Sequence, residues 1–270
     1  MSIEAPPAPN RVGGIPVYAT LADAWRLMVR YPRAVLMPMF VIEVPLAILT
    51  AAASAILYLG VFGNETYPQG GLLGVDEAGS PAFAAALVAS INALFVLVGQ
   101  AATIVAVADA SRGKPRPVAQ SLDPAFTRMG ALLGFAFLLV AIIGGLAITV
   151  IGIVVLPYIA LRIGLTLQVL ILEGQSPFRA MRGSWSALRG HLLRFMAIIS
   201  LTFLTLLPVF AFRAVHFAFD DASRTTRIAA DTAFAVVESL LILPVAVFAT
   251  AATTLFYLQI KARDNARPAS

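Results

Sequence analysis

Long apolar runs alternate with short charged segments along the chain. A membrane-spanning helix needs about 20 predominantly apolar residues, because the hydrocarbon core of a bilayer is about 30 Å thick. Six runs meet this requirement, at residues 34–62, 82–108, 129–149, 152–172, 195–217 and 233–260. The pattern therefore predicts an all-α polytopic membrane protein with one domain over residues 1–270 and a disordered tail at residues 1–19.

The third and fourth spans follow each other without a polar loop. One helix over residues 129–172 would be about twice as long as the bilayer core is thick, so this run must turn back once. The residues best suited to the turn are Gly144, Gly145 and Gly152, because glycine weakens a helix and tolerates unusual backbone angles.

Two charged segments predict amphipathic helices at the membrane surface, at residues 20–31 and 177–192. In the second, Ser176 suits the N-cap position and Pro177 suits the first helical turn. With about 100° of rotation per residue, one arc of this helix collects six large apolar side chains. They are Phe178, Met181, Trp185, Leu188, Leu192 and Phe195.

The same helix has two further faces. Arg182 and Arg189 flank one edge of the apolar arc, where their guanidinium groups could reach lipid phosphates. The far side carries a stripe of small residues, namely Ala180, Gly183, Ala187 and Gly190. Small residues at this spacing predict the close approach of a neighbouring helix.

An internal three-fold pattern is visible in the segments that precede pairs of spans. These leading segments lie at residues 21–33, 121–130 and 181–194. The second and third align at an offset of 61 residues, which places Arg128 opposite Arg189. We therefore predict three repeats, each an interfacial amphipathic helix followed by a two-span hairpin.

Composition agrees with the membrane class and excludes several kinds of site. The chain is 60% hydrophobic and 12% charged, whereas a soluble domain is about 45–50% apolar and about 25% charged. It has no cysteine, which excludes a Cys-ligated zinc or a thiol nucleophile, and its two histidines cannot make a three-His metal site. No HExxH or GxSxG motif occurs in the spans, so we predict no catalytic site, no metal and no cofactor.

Basic residues cluster at alternate ends of the spans. Fifteen of the 19 lie on one side in the six-span arrangement, while the other side has three basic residues and six acids. The positive-inside rule then predicts that both termini face the cytoplasm, in the cytoplasmic (inner) membrane of a bacterium. Nucleic-acid binding is not expected, because it requires a folded basic face in water.

Charged residues within spans are the sharpest candidates for buried interactions. We predict two ion pairs, Glu43 with Arg162 and Glu238 with Arg213, because a charge at the bilayer centre costs about 2.5–3.5 kcal/mol. Prolines lie near three of these charges and would kink their helices. The pairs would therefore either lock the helices together or line a central substrate cavity. The polar residues expected to face the bundle interior are Asn92 and Gln100.

One stretch resembles a known family. The sequence PYIALRIGLTLQVLILEGQSPFRAMRGSW (residues 157–185), continuing SALRGHLLR, resembles the membrane domain attached to some bacterial glycerophosphodiester phosphodiesterases and the stand-alone relatives of that domain. The matching positions are Pro157, Arg162, Glu173, Ala180, Ser184, Trp185 and Gly190. The resemblance implies six to eight spans and no defined activity for the membrane part. We expect no phosphodiesterase barrel like that of the fused members, so the resemblance implies no enzymatic activity.

These observations favour a non-catalytic membrane protein, a lipid-associated scaffold or accessory component. The expected partners are the bilayer, its anionic phospholipid headgroups, and a second membrane protein or another copy of the chain. The candidate contacts are Trp25, Arg26, Arg30, Arg179, Arg182, Trp185 and Arg189, which would otherwise serve only to fix topology. The alternative is a transporter or channel for a small molecule or lipid, built on the Glu43–Arg162 pair.

Overall fold

A computed structural model describes residues 15–56, 79–216 and 224–266 of the chain. The described residues form helices and no strand. In chain order the helices are α1 (Val17–Arg30), α2 (Pro32–Val35), α3 (Met37–Ile56), α4 (Gly79–Ser111), α5 (Val118–Thr127), α6 (Met129–Ala147), α7 (Val150–Ile163), α8 (Thr166–Glu173), α9 (Pro177–Ala187), α10 (Leu192–Leu204), α11 (Leu207–His216) and α12 (Arg224–Ala266).

Five apolar segments within the described ranges are long enough to cross a membrane. They are Ile91–Ser111, Met129–Ala147, Ile151–Glu173, Leu192–Phe212 and Leu240–Ala266. The first predicted span is represented by the shorter apolar helix Met37–Thr50, and its last residues, 57–62, lie outside the described ranges. The chain is therefore all-helical in its described parts and has the apolar helices of a multi-pass membrane protein.

Two helices, α4 and α12, form the centre of the bundle. Buried residues make up 56% of the apolar segments of α4 and α12 but 11% of that of α6. The central backbones approach each other closely because small side chains line the contact. Those that are fully buried include Ala101, Ala102, Ala106, Ala251 and Ala252. By contrast, α6, α7, α10 and α11 leave large apolar side chains uncovered, such as Phe137 and Ile151, as lipid-facing helices do.

Side chains of α8 reach the C-terminal part of α12. Glu173 ends α8, where its carboxylate accepts a hydrogen bond from the Tyr257 hydroxyl and pairs with the Lys261 ammonium. Farther back along both helices, the Gln168 amide donates to the Thr253 hydroxyl at 2.9 Å. The two helices therefore run in the same direction, and we call the end at which they finish the basic end, after Lys261 and the neighbouring Arg263.

Breaks in the helices explain how the chain turns. Thr149 caps α7 by accepting a hydrogen bond from the Gly152 N–H at 2.9 Å, so the turn between α6 and α7 lies at residues 148–149. A second break at residues 164–165 separates α7 from α8. After α8 the chain reverses through Gly174, whose φ of 70° is in the left-handed region that favours glycine.

The predicted helix over residues 177–192 is shorter than expected. Ser176 is at the N-cap position and Pro177 begins α9 as predicted, but the helix ends at Ala187. Gly190 then has a φ of 84°, which an L side chain rarely adopts, and α10 begins at Leu192. The predicted single apolar arc is therefore wrong beyond Trp185, because the residues that follow are not on the same helix. Their environments also differ: Leu188 and Phe195 are fully buried, whereas Phe178 is exposed.

Each amphipathic segment packs on a long apolar helix. The pairs α5 on α4 and α9 on α8 each join neighbours in the sequence. The first helix, α1, packs instead on the last, α12. In that contact Thr20 donates a hydrogen bond to the Gln259 side chain at 3.0 Å, and the Trp25 ring lies edge-on to Phe248. The packing of α1 on α12 thus brings the first and last described helices together.

Candidate functional site

The break between α7 and α8 is closed by a side chain from α9. A helix that starts anew leaves backbone N–H and C=O groups without partners. The buried Ser184 hydroxyl accepts a hydrogen bond from the Leu165 N–H at 3.1 Å and donates one to the Arg162 carbonyl at 2.8 Å. One serine therefore satisfies a donor and an acceptor that the break exposes, and it fixes α9 against both helices.

The Arg162 side chain lies beside a pair of aromatic rings next to this break. Its guanidinium carbon is 5.3 Å from the centre of the Tyr158 ring and 5.2 Å from that of Trp185, and the two rings contact each other edge-on. Its Nε donates to the Tyr158 hydroxyl at 3.1 Å, while the buried Nη1 has no hydrogen-bond partner among the described residues. Aromatic faces attract a cation by about 0.5–2 kcal/mol each, so the rings stabilise this charge in the absence of a carboxylate.

The predicted Glu43–Arg162 pair is not formed in the structure. The two residues lie on helices that are not neighbours, since α3 packs on α4 and α12 whereas α7 packs on α6, α9 and α10. Glu43 is half-buried, and its Oε1 has no hydrogen-bond partner among the described residues. Similar depth along two spans does not bring side chains together when a third helix separates them.

One member of the predicted stripe of small residues packs closely on α8. A Cβ added to Gly183 would lie 3.0 Å from a methyl carbon of Val169, and Ala180 is fully buried. The prediction that this stripe admits a close helix neighbour is confirmed for Gly183. Gly190, the last member of the stripe, has nothing near its missing Cβ and serves the chain reversal after α9.

The outer face of α9 is basic and aromatic. Arg179, Arg182 and Arg189 are exposed, and none of them forms an ion pair or hydrogen bond with a described residue. The Phe178 ring is 68% exposed and the Trp185 ring 36%. We call Arg179, Arg182 and Trp185 on α9, together with Arg189 in the turn that follows it, the α9 basic face. It offers three cations that have no partner among the described residues, and its Trp185 ring also contacts Arg162.

The outer face of α1 has a similar composition but more internal contacts. Trp25 is 60% exposed, and it lines a shallow surface depression with Arg26, Val29 and Arg30. Arg26 pairs with Asp23 at 3.2 Å, and Arg30 lies 5.4 Å from the centre of the Tyr31 ring. The two arginines of α1 therefore already have neighbours that partly satisfy them.

The remaining predicted residues lie elsewhere in the bundle. Gln100 lines a pocket between α4, α8 and α12. Asn92, which precedes Gln100 on α4, is half-buried. Glu238 is partly buried on α12. The structure does not describe the side chain of Arg213. The predicted Glu238–Arg213 pair therefore falls outside the described residues.

Arg128 makes a helix-end contact that the sequence pattern did not predict, since it entered only the repeat alignment and the charge asymmetry. It lies between α5 and α6, and its Nη1 donates to the carbonyls of Leu170 and Ile171, each at 2.7 Å. These carbonyls belong to the last turn of α8, where backbone acceptors lack helical partners and cations are favoured. The sequence does show where such a contact is needed. The apolar run ends at Glu173, and the last backbone carbonyls of a buried helix require a hydrogen-bond donor.

The residues that carry the family resemblance meet around the α8–α9 hairpin. Arg162 and Ser184 secure the break, Glu173 joins α8 to α12, and Ala180 is fully buried. Each therefore has a packing or bonding role in this chain. No protein-family model, no curated protein and no solved structure matches the chain.

Proposed function

We propose that the protein is a non-catalytic membrane scaffold that binds anionic phospholipid headgroups through the α9 basic face. The observation that carries the proposal is the presence of three exposed arginines that have no partner among the described residues, close in the chain to the partly exposed Trp185. A guanidinium group recognises phosphate through paired N–H donors, and an indole ring favours the headgroup region of a bilayer. The hairpin behind this face is held by Ser184 and Arg128, so the site is presented on a fixed support.

The proposal includes an arrangement in the membrane. The chain would cross the cytoplasmic membrane six times in three repeats, with both termini and the basic end in the cytoplasm. The pairings of α1 with α12, α5 with α4 and α9 with α8 support a repeated unit. The stand-alone relatives of the glycerophosphodiester phosphodiesterase membrane domain remain the family we propose, supported by the pattern residues that stabilise the α8–α9 hairpin.

Native mass spectrometry of the purified full-length protein tests the proposal. Phosphatidylglycerol and phosphatidylcholine would be titrated into wild type, an Arg182→Gln/Arg189→Gln variant and an Arg112→Gln/Lys114→Gln control. The control removes the same charge from exposed residues between α4 and α5. Each basic residue near an anionic surface contributes about 1 kcal/mol, so the first variant should bind phosphatidylglycerol about thirtyfold more weakly.

The control should bind phosphatidylglycerol like wild type, and all three proteins should bind phosphatidylcholine weakly. Equal losses in both variants would mean that only net charge matters, and the α9 basic face would not be a specific site. Unchanged binding in the Arg182→Gln/Arg189→Gln variant would leave these arginines with a role in topology alone. Transport through a Glu43–Arg162 pair is not proposed, because the two residues are not in contact.

A further inference from the structure

A small polar pocket lies between the middle portions of three apolar segments. It has a volume of about 140 Å³, and its polar side chains come from α4, α8 and α12. They are Gln100, Gln168, Thr250 and Thr253, and the remaining lining is Ile104, Gly164, Leu167 and Ala249. The break at Gly164 opens the space, because α8 stays on α4 while α7 turns away to pack on α6, α9 and α10.

The lining offers hydrogen-bond acceptors that the protein leaves unused. Gln168 is 4% exposed, and its Nε2 donates to Thr253, but its Oε1 accepts no hydrogen bond from a described residue. The Thr250 hydroxyl donates its proton to the Ala246 carbonyl at 2.8 Å, so its oxygen remains available only as an acceptor. A buried acceptor left without a donor costs about 1–3 kcal/mol, which favours a bound group that supplies O–H donors.

The lining also restricts the charge and size of that group. Among the described residues, no acidic or basic side chain lines the pocket, so a charged ligand would lose its hydration without gaining a counter-ion from them. The Gln100 amide forms no hydrogen bond with a described residue and can both donate and accept. The complementary group is therefore small, uncharged and carries at least one free hydroxyl.

We propose that this pocket binds a neutral hydroxyl-bearing group, the glycerol moiety of a free polyol or of an uncharged glycerolipid. One ligand hydroxyl donates to Gln168 Oε1, a further hydroxyl, where the ligand has one, donates to Thr250 Oγ1, and the Gln100 amide bonds another ligand oxygen. The site is separate from the α9 basic face, since its lining contains none of that face's residues. Its test is therefore independent of the proposed function.

The test is thermal unfolding of the full-length protein in detergent, followed by tryptophan fluorescence. The probes are glycerol, dioctanoylglycerol, and acetylated dioctanoylglycerol, which lacks the free hydroxyl. A ligand that binds the folded state raises its stability according to concentration and affinity. The variants are Gln168→Leu and, as a matched control, Gln120→Leu, which makes the same change at an exposed position on α5.

At least one hydroxylated probe should stabilise wild type and Gln120→Leu, and Gln168→Leu should bind that probe about fivefold more weakly, as expected for one lost hydrogen bond. Stabilisation by dioctanoylglycerol would identify a lipid source, and stabilisation by glycerol beyond that seen in Gln168→Leu would identify a free polyol. Should Gln168→Leu not fold, Thr250→Val removes the second acceptor with little change of shape. An equal response to the acetylated probe, an equal response in the pocket variant, or no response to any probe would overturn the proposal.

Discussion

The most demanding prediction concerns Ser184, whose hydroxyl bridges the break between α7 and α8. Ser184→Ala removes the acceptor of the Leu165 N–H and the donor to the Arg162 carbonyl while leaving the helix propensity of α9 intact. Hydrogen bonds between membrane helices contribute about 0.6 kcal/mol on average, and a buried donor left unpaired costs about 1–3 kcal/mol. We therefore expect the free energy of unfolding to fall by about 2 kcal/mol.

The assay is reversible unfolding of the detergent-solubilised protein in mixed micelles of increasing SDS content. Ser186→Ala is the matched control, because Ser186 is an exposed α9 residue without a side-chain hydrogen bond among the described residues. The control should unfold within about 0.5 kcal/mol of wild type, as surface substitutions usually do. If Ser184→Ala proves as stable as Ser186→Ala, the bridging role of the hydroxyl is refuted.

Three further substitutions test the supports of the α8–α9 hairpin with the same unfolding assay. Arg128→Met removes a charged donor from two carbonyls at the end of α8 and should cost about 2–3 kcal/mol; wild-type stability would show that water replaces the guanidinium. Gly183→Leu places a side chain against Val169, 3.0 Å from the added Cβ, and should cost about 1–3 kcal/mol; a stabilised variant would contradict the close packing. Gly190→Ala should cost about 1–2 kcal/mol, because its φ is 84° and no neighbour relieves the strain. Gly130→Ala, within helical α6 and equally uncrowded, should instead be neutral or stabilising. Equal effects of the two alanines would refute the backbone argument.

Hydrophobic periodicity was sufficient to locate the helices but not their partners. The long apolar runs predict α4, α6, α10 and α12 well, because a span must be apolar over most of its length. The small residues of α9 predicted a close helix neighbour, and the structure identifies α8 as that neighbour. Both results follow from local composition, which a single sequence displays directly.

Pairing between distant helices follows from tertiary arrangement and was not predictable in the same way. Glu43 and Arg162 seemed matched in depth, yet the order of helices around α4 and α12 separates them. The aromatic partners of Arg162 were within reach of sequence reasoning, since Tyr158 lies one helical turn before it. The Gln168–Thr253 bond joins residues 85 positions apart, and no local pattern marks that contact.

The chain's two tryptophans allow the central claim to be tested at a single site. A Trp25→Phe variant leaves Trp185 as the only indole, in the α9 basic face. Its fluorescence would be recorded in bilayers in which either phosphatidylglycerol or phosphatidylcholine carries brominated chains, at equal mole fraction, with and without Arg182→Gln/Arg189→Gln. Enrichment of anionic lipid at this face predicts stronger quenching by brominated phosphatidylglycerol, and loss of that preference when the two arginines are removed. Equal quenching by the two lipids would contradict anionic lipid binding at the α9 basic face.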